Sequence, residues 1–338
     1  MKTLLLLLLC LVPGVQLAAA VPLTAPPVQD ARLSIDVGMI IIDIRNIDDV
    51  AQEFDATLII YLSWRDPRLA SPDSSETRIF SLNEIWSPRY QVSNEVHAQK
   101  RYPEQLRVDP DGKVVYIQRL TGSFSDRLDL RYFPFDTQLL DFRLTFPDFE
   151  PQHLELVPAA GLSGIMKEMS IAGWNIGRWH LQSDPVNVLN NITRASALMR
   201  FEAQRSTGYY LWKIIFPLVL IVFMSWAVFW ISPDNAGPPL GLATTSMLTL
   251  IAYRFILGSQ LPRVSYLTLL DYFILGSTVL VFLALLEVVI TAALAQGGRT
   301  AQAHRLQRAA RFVFPLLFGV LVVAVFTGRL LQPTLVAH

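Results

Sequence analysis

The strongest constraint on this chain is a set of four apolar segments in its C-terminal part. They cover residues 209–231, 237–258, 266–295 and 312–331. About 20 apolar residues in a helix are needed to cross the ~30 Å hydrocarbon core of a bilayer, and each segment reaches that length. The sequence therefore predicts an all-α membrane domain of four helices over residues 207–338, which we call the first to fourth spans.

The orientation of these spans is predicted by two separate signals. Residues 1–20 contain one lysine, a leucine run and Ala18-Ala19-Ala20, a pattern typical of a secretory signal peptide with a small-residue cleavage site. An uncleaved membrane anchor is the alternative interpretation. The short loop 296–311, between the third and fourth spans, contains four arginines and no acidic residue, so the positive-inside rule predicts that it is cytoplasmic. Both signals put the segment that precedes the first span outside the cytoplasm.

Residues 21–206 show the two-residue periodicity of half-buried strands. Apolar and polar residues alternate over 54–62 and over 140–146, and Asp109-Pro110-Asp111-Gly112 has the composition of a hairpin turn. Many short strands at even spacing are typical of a β-sandwich. We therefore predict an extracellular, immunoglobulin-like, all-β sandwich ahead of the membrane helices.

Composition argues against several other classes of protein. The chain has 28 basic (Lys and Arg) and 28 acidic residues, which gives no reason to expect a nucleic-acid partner. Its one cysteine, Cys10, lies in the predicted signal peptide, so neither a disulfide nor thiolate chemistry is expected in the mature chain. The sequence has no metal-ligand spacing, no nucleophile motif and no glycine-rich phosphate loop, so we predict neither an enzyme nor a bound cofactor.

The second span carries many small and hydroxylated residues. On a helix with 100° per residue, six of its residues fall on one stripe within about 40° of its centre. The stripe consists of Gly241, Thr245, Leu248, Ala252, Phe255 and Ser259. One interpretation is close packing between helices. The other is that several copies of the chain place this stripe around a pore, with hydration at the cytoplasmic end and apolar rings beyond it that gate by dewetting.

Ionisable residues inside the spans are costly unless they are paired. Arg254 in the second span and Asp271 near the start of the third span lie at similar depth. We predict that they neutralise each other behind the stripe. Glu287 lies deeper in the third span, and the sequence suggests no partner for it.

The segment Tyr132-Phe133-Pro134-Phe135-Asp136-Thr137-Gln138 resembles the FPFDxQ signature of the pentameric ligand-gated ion channels, the Cys-loop receptor superfamily. Further matches follow in family order: Trp64-Arg65-Asp66, Trp86-Ser87-Pro88, Gly173-Trp174, Arg205, Pro217 and Leu261-Pro262. Two cysteines flank the signature loop in animal members, whereas Asp126 and Leu140 occupy those positions here. The chain is thus similar to the cysteine-less bacterial branch, over nearly all of its mature length.

This resemblance implies a homopentamer in the bacterial inner (plasma) membrane, surrounded by lipid. Its extracellular or periplasmic domain would sense a small-molecule or proton agonist. The stripe on the second span would then line the pore for permeant inorganic ions. A non-conducting, membrane-anchored sensor is the alternative, although such a protein would need only one span.

A charged group is predicted at the junction of the two domains. Asp136 needs a cation, Arg205 just before the first span is its natural partner, and a second carboxylate from the turn at residues 48–49 can complete the cluster. Pro134 restricts the loop and directs the aromatic rings beside it toward the membrane. The resemblance implies that this group transmits agonist binding to the segment after the second span, whereas a salt bridge that only stabilises the fold is the alternative. The predicted coupling residues are Asp48, Asp49, Phe133, Pro134, Phe135, Asp136, Arg205, Leu261, Pro262 and Arg263.

The resemblance also implies an agonist site between subunits. Carried over by position, its residues are Ile59, Tyr61, Tyr90, Ser93, Phe146, Phe149 and Arg194. The hairpin tip 186–198 has no aromatic residue, and an amine cage needs several rings, so an amine agonist is not favoured. Arg194 suits an anionic ligand, with a solvated surface arginine as the alternative.

Acid activation and ion selectivity remain open in the sequence. Acid activation would draw on Asp48, Asp49, Glu53 or His97, whose charges change with pH. The cytoplasmic mouth of the second span, residues 235–239, carries no charged residue. We therefore predict weak charge selectivity, with cations and anions equally favoured.

Overall fold

The computed structural model describes residues 23–27, 32–73, 75–232, 234–258 and 264–330. These residues form a β-rich domain followed by four long helices. The predicted signal peptide and four of the predicted site residues, Ser259, Leu261, Pro262 and Arg263, lie outside the described residues.

Two sheets form the N-terminal domain within the described part of the chain. Its strands are β1 (Leu33–Asp48), β2 (Glu53–Arg65), β3 (Arg78–Ser81), β4 (Gln91–Val92), β5 (Glu95–Lys100), β6 (Gln105–Val108), β7 (Lys113–Ser125), β8 (Thr137–Phe146), β9 (Leu154–Pro158), β10 (Gly164–Ile165), β11 (Trp174–Ser183), β12 (Val186–Leu189) and β13 (Ile192–Arg205). The first sheet has the order β10-β1-β2-β7-β6-β3, with β9 beside β1 and β5 beside β7. The second has the order β11-β13-β8-β4, with β12 beside β13.

The core of the sandwich follows the predicted alternation. The apolar positions of β2 and β8 are buried, and aromatic rings from both sheets meet there: Phe54 of β2 lies 5.2 Å from Phe142 of β8 and 5.9 Å from Phe201 of β13, between ring centres. The predicted hairpin is also confirmed. It joins β6 to β7, with Gly112 at a φ of 80° that a residue with a side chain rarely adopts.

The four helices are α1 (Gly208–Trp230), α2 (Gly237–Gly258), α3 (Leu269–Gln296) and α4 (Thr300–Leu330). Each is long and apolar enough to cross a membrane, which makes the chain a multi-pass membrane protein. Helix α2 packs against α1 and α3, and α4 packs mainly against α3. A π-helical turn interrupts α1 at Leu211–Ile215, directly before Pro217.

Two sequence-based expectations for the membrane domain are wrong. The segment predicted as the loop 296–311 is helical from Thr300 onward, because it is rich in helix formers and buries Ala303, Gln307 and Ala310 on one face. Asp271 does not pair with Arg254 within the described subunit. Its carboxylate instead accepts hydrogen bonds from the amide and hydroxyl of Thr268, in a capping box that begins α3.

Candidate functional site at the domain junction and on helix α2

Arg205 is the centre of a buried ionic group, which we call the junction cluster (Asp49, Asp136 and Arg205). Asp49 follows β1, Asp136 precedes β8, and Arg205 ends β13. The Arg205 Nε donates to Asp136 Oδ1 at 2.8 Å, while its Nη2 and Nη1 donate to the two Asp49 carboxylate oxygens at 2.7 and 2.9 Å. Arg205 is 5% exposed and Asp136 is 0% exposed. The predicted pairing of these residues is confirmed, whereas their role in coupling stays a prediction.

Aromatic rings complete the environment of Arg205. Its guanidinium carbon lies 4.1 Å from the ring centre of Trp174 and 4.8 Å from that of Phe133, which are cation–π distances. Burial disfavours the charged guanidinium, but the hydrogen bonds with Asp136 and Asp49 outweigh burial and raise the pKa of Arg205. Burial raises the pKa of Asp49, and Arg205 opposes that rise. The arginine therefore stays charged at every physiological pH.

The neighbouring carboxylate of Asp48 has a different role from the one predicted. Its Oδ1 accepts the backbone N–H groups of Val50 and Ala51 at 2.8 and 2.9 Å, and so caps the turn between β1 and β2. Gln52, which the sequence did not single out, links that turn to the loop after β7. Its side chain donates to the Asp49 carbonyl at 2.7 Å and accepts the N–H of Leu128 at 2.8 Å.

Residues 126–136 form the segment that we call the junction loop, and its backbone caps helix α3. The first N–H groups of a helix have no partner inside the helix. Here the N–H of Leu269 donates to the Arg131 carbonyl at 3.0 Å, and that of Leu270 donates to the Phe133 carbonyl at 3.2 Å. The Tyr266 hydroxyl accepts the N–H of Leu130 at 2.9 Å. Any displacement of this loop therefore acts directly on the start of α3.

The two phenylalanines of the loop contact different membrane helices. The ring of Phe133 lies 4.8 Å from that of Tyr210 in α1, and the ring of Phe135 lies 5.3 Å from that of Phe326 in α4. Both phenylalanines are buried, and a cis peptide bond joins Phe133 to Pro134. Their predicted orientation toward the membrane domain is confirmed.

Helix α2 has one buried face and one exposed face. Ala243, Leu250 and Leu257 are buried against the subunit. The predicted stripe is exposed along its described length, with Leu248 at 66% and Phe255 at 79%; its other described members, Gly241, Thr245 and Ala252, are also exposed. The hydroxyl of Thr245 donates to the Gly241 carbonyl at 2.8 Å, so its hydrogen is used inside the helix while its oxygen remains able to accept a hydrogen bond.

Tyr253 joins α2 to α1 at the irregular turn of α1. Pro217 has no N–H, so the carbonyl of Lys213, four residues earlier, loses its normal helical partner. The Tyr253 hydroxyl lies 3.2 Å from that carbonyl and 2.9 Å from the carbonyl of Ile214. No local sequence pattern predicts this contact, because the two segments are 40 residues apart.

The first turns of α4 hold the C-terminal end of α1. The Arg311 Nε donates to the Phe229 carbonyl at 2.8 Å, and its guanidinium lies 5.0 Å from the Trp230 ring centre. His304 lies 3.4 Å from Asp234, which precedes α2. The helical extension of α4 therefore braces the linker that enters α2.

The predicted agonist residues fall into two groups on different sheets. Ile59 and Tyr61 lie on β2 of the first sheet. Ser93, Phe149 and Arg194 lie at the second sheet, where Ser93 bonds to Thr145 (2.6 Å between hydroxyl oxygens) and Arg194 pairs with Glu150 (3.6 Å). The two groups do not form one pocket within a subunit.

Two members of the predicted agonist set have other surroundings. Phe146 is 0% exposed and belongs to the core, so the structure removes it from the candidate set. Tyr90 lines a cavity of about 220 Å³ inside its own subunit, together with Trp64, Lys100 and Tyr116. Among the residues that the structure describes, no group of three or more His, Cys, Asp or Glu side chains is arranged to hold a metal ion.

A β-sandwich whose buried arginine cluster and loop contact a bundle of four membrane helices defines a multi-pass membrane protein with a folded domain outside the bundle. Residues 22–195 match the family model of the neurotransmitter-gated ion-channel ligand-binding domain. Residues 214–322 match that of the neurotransmitter-gated ion-channel transmembrane region. The chain belongs to this family of ligand-gated ion channels, which is not a class of enzymes.

Named relatives agree with this assignment. The chain is 28% identical to a proton-gated ion channel of Gloeobacter violaceus over 298 residues, which are 87% of this chain and 82% of the relative. It is 28% identical to a gamma-aminobutyric acid receptor subunit beta of Caenorhabditis elegans and 26% identical to the beta-4 subunit of Gallus gallus. Each of those matches covers 75% of this chain but only 48% and 54%, respectively, of the receptor subunit, about half its length.

Proposed function

We propose that five copies of this chain form a homopentameric channel in which α2 of every subunit faces a central pore. The observation that carries this proposal is the exposed stripe of α2, opposite its packed face. Helix α2 also has the lowest mean hydropathy of the four, 1.5 against 2.2 to 2.6. A helix that faces water on one side can be less apolar than helices that face lipid.

The stripe supplies both a hydrated section and an apolar section of the proposed pore. Gly241 and Thr245 offer small groups and a hydroxyl oxygen near the cytoplasmic end. Leu248, Ala252 and Phe255 provide apolar rings that exclude water when the pore is narrow. A small outward movement of α2 then wets these rings and permits ion flow.

The proposed location is the bacterial inner membrane, with the β-domain in the periplasm. The arginines of the segment 296–311 support a cytoplasmic position for the start of α4. The signal-peptide pattern of residues 1–20 supports export of the β-domain.

The proposed channel has weak charge selectivity, because the mouth of α2 at residues 235–239 lacks a charged residue. Reversal potentials under a NaCl gradient test this, and a near-ideal Nernst shift of either sign would contradict it.

The proposed agonist is a proton or a small molecule. One relative is named a proton-gated ion channel, and two are named gamma-aminobutyric acid receptor subunits. Ile59 and Tyr61 lie on one sheet, while Ser93, Phe149 and Arg194 lie at the other. This separation supports a site completed by the neighbouring subunit. The Arg205 cluster and the junction loop are the proposed route from that site to α1 and α3.

Current recording tests the channel proposal. The chain is expressed in oocytes, and current is recorded during a screen of pH and small metabolites. Leu248→Ser should let the channel open at a weaker stimulus, because a hydroxyl favours wetting of the apolar ring. Ile251→Ser, a change on the same helix but off the stripe, is the matched control and should behave like the unmodified chain.

Two results would contradict the channel proposal. A requirement for more stimulus in Leu248→Ser would show that Leu248 is not in the gate. Chains that reach the oocyte surface but give no current, with Leu248→Ser included, would favour the non-conducting sensor instead.

A further inference from the structure

Asp126 lies at the base of the junction loop and connects it to strand β8 and to the turn between β1 and β2. Its Oδ2 accepts the N–H of Asp141 in β8 at 2.9 Å, and its Oδ1 accepts the N–H of Arg127 at 2.8 Å. Its own N–H donates to the Gln52 carbonyl at 2.9 Å. The half-buried carboxylate therefore fixes where the loop leaves β7.

The charges around Asp126 are unbalanced. Arg200 in β13 donates from Nη2 to Asp141 Oδ2 at 3.0 Å, and its buried Nε has no hydrogen-bond partner. We call Asp126, Asp141 and Arg200 the loop-base cluster. With both carboxylates ionised, it carries one more negative than positive charge. The other charged or titratable side chains on the adjoining segments are Arg127 next in the loop, Glu53 and Asp55 on β2, Glu95 and His97 on β5, Arg143 on β8, and Glu202 on β13.

We propose that Asp126 is a proton-binding site that regulates this channel through the junction loop. This inference rests on the proposed channel function and names one ligand, the proton, and one carboxylate that takes it up. A proton on Asp126 leaves Arg200 and Asp141 as a neutral pair and removes the repulsion between the two carboxylates.

The local environment places this proton uptake in a useful pH range. Burial, with a further contribution from the charge of Asp141, raises the pKa of Asp126 to about 6, and the charge of Arg200 opposes the rise. Acidification from pH 7 to pH 5 thus changes the charge of the loop-base cluster.

Short contacts connect Asp126 to the junction cluster and to the start of helix α3. Gln52 accepts the Asp126 N–H, and the same Gln52 donates to the Asp49 carbonyl at 2.7 Å. Asp49 belongs to the junction cluster of Arg205. In the other direction, the loop carbonyls of Arg131 and Phe133 cap α3. Asp126 therefore lies at one end of the junction loop, and the middle of that loop caps the membrane helix α3.

The first measurement is thermal unfolding of the purified, detergent-solubilised protein from pH 4.5 to 8. A carboxyl group whose pKa is raised by folding stabilises the protein below its unfolded pKa of about 3.8, and this contribution is lost as the pH rises through about 6. The unmodified chain should therefore lose stability relative to Asp126→Asn across this window. The difference in Tm should titrate near pH 6, and Glu95→Gln, an exposed carboxylate on β5, should leave the step intact.

The second measurement is current against extracellular pH in the same variants. The unmodified chain should show a response with a midpoint near pH 6, which Asp126→Asn removes or moves by more than about one pH unit. Glu95→Gln should keep the midpoint. Arg200→Gln retains Asp126 but removes the cation that opposes its protonation, so its midpoint should move to higher pH. Arg200→Gln therefore still tests the inference if Asp126→Asn fails to fold.

These outcomes separate failure of the inference from failure of the channel proposal. A Tm difference that is flat from pH 4.5 to 8 would overturn the proton site even in a protein that conducts. A pH-dependent current whose midpoint is unchanged in both Asp126→Asn and Arg200→Gln would also overturn it. Absence of any current, with the Tm step present, would contradict the channel proposal and the regulatory part of the inference, but not proton binding by Asp126.

Discussion

The junction cluster and the loop-base cluster each contain two carboxylates and one arginine, but their hydrogen bonds differ. Arg205 donates to both of its carboxylates. Within the described part of the chain, Arg200 donates to Asp141, and the Asp126 carboxylate accepts only from the backbone N–H groups of Arg127 and Asp141. Arg205 is enclosed by aromatic rings. Arg200 has a side chain that is 35% exposed. The first arrangement keeps its arginine charged at physiological pH, and the second is able to take up a proton.

This difference suggests that the two clusters have different roles at the interface between the domains. A buried arginine with two bonded carboxylates is a rigid connection, because loss of the arginine leaves two uncompensated carboxylates in a buried site. A carboxylate that lacks an arginine partner is sensitive to its surroundings. Two carboxylates and an arginine can therefore have either of two roles. In the junction cluster they would transmit a movement between the domains, and in the loop-base cluster they would respond to a change in pH.

The largest effect is expected for Arg205→Ala, which breaks the junction cluster. It leaves Asp49 and Asp136 buried without a cation, at a cost of about 3–5 kcal/mol in the free energy of unfolding. Thermal or denaturant unfolding of the purified protein measures this loss, and surface expression should fall with it. Arg178→Ala is the matched control, because Arg178 forms an ion pair with Glu202 and has a side chain that is 83% exposed. Equal losses in the two variants would show that the burial of Arg205 is not what matters.

Asp136→Asn should show a smaller loss in the free energy of unfolding than Arg205→Ala. Asp136 accepts hydrogen bonds from Arg205 and from Gln138, whereas the amide can accept through only one oxygen. Because Asp49 still pairs with Arg205, we expect a loss of about 2 kcal/mol. Denaturant unfolding of Asp136→Asn and Arg205→Ala, measured side by side, compares the two losses. A loss in Asp136→Asn as large as that in Arg205→Ala would show that the remaining pair of Asp49 and Arg205 does not stabilise the junction.

Gln52→Ala should weaken the contact between the clusters while leaving proton uptake in place. The change removes two hydrogen bonds, one to the Asp49 carbonyl and one from the Leu128 N–H, worth together about 1–2 kcal/mol. The Tm of this variant should still show the step near pH 6. Its current should respond less to pH than that of the unmodified chain. An unchanged pH response of the current would mean that the signal does not pass through Gln52.

The sequence predicted one of these clusters and missed the other for a physical reason. Asp136 lies in a recognisable motif, and Arg205 is the charged residue directly before the first span, so their pairing could be inferred. Arg200 and Asp141 are 59 residues apart and belong to strands whose register only the folded sheet defines. A shift of one residue in that register would turn Arg200 to the other face.

Other parts of the structure follow the same division between local and long-range information. The strands of the core and the apolar spans were readable because a two-residue period and a run of apolar residues are local patterns. The capping of α3 by the carbonyls of Arg131 and Phe133 was not readable, because backbone groups carry no sequence signal. The early start of α4 could have been inferred from the helix formers after Thr300, but the charge pattern of that segment favoured a loop.

The smallest effect is expected for Asp141→Asn, and it sharpens the contrast between the clusters most directly. The substitution removes the like charge beside Asp126 and frees Arg200 to act on Asp126 alone, and both changes favour the ionised carboxylate. The pKa of Asp126 should therefore fall, and the midpoints of the Tm step and of the current should move to lower pH by about half to one unit. This shift is opposite in sign to that of Arg200→Gln. If the cluster had a purely structural role, Asp141→Asn and Arg200→Gln would both lose stability, and their midpoints would not shift in opposite directions. Measuring the midpoints of these two variants side by side therefore decides whether charge or packing controls the junction loop.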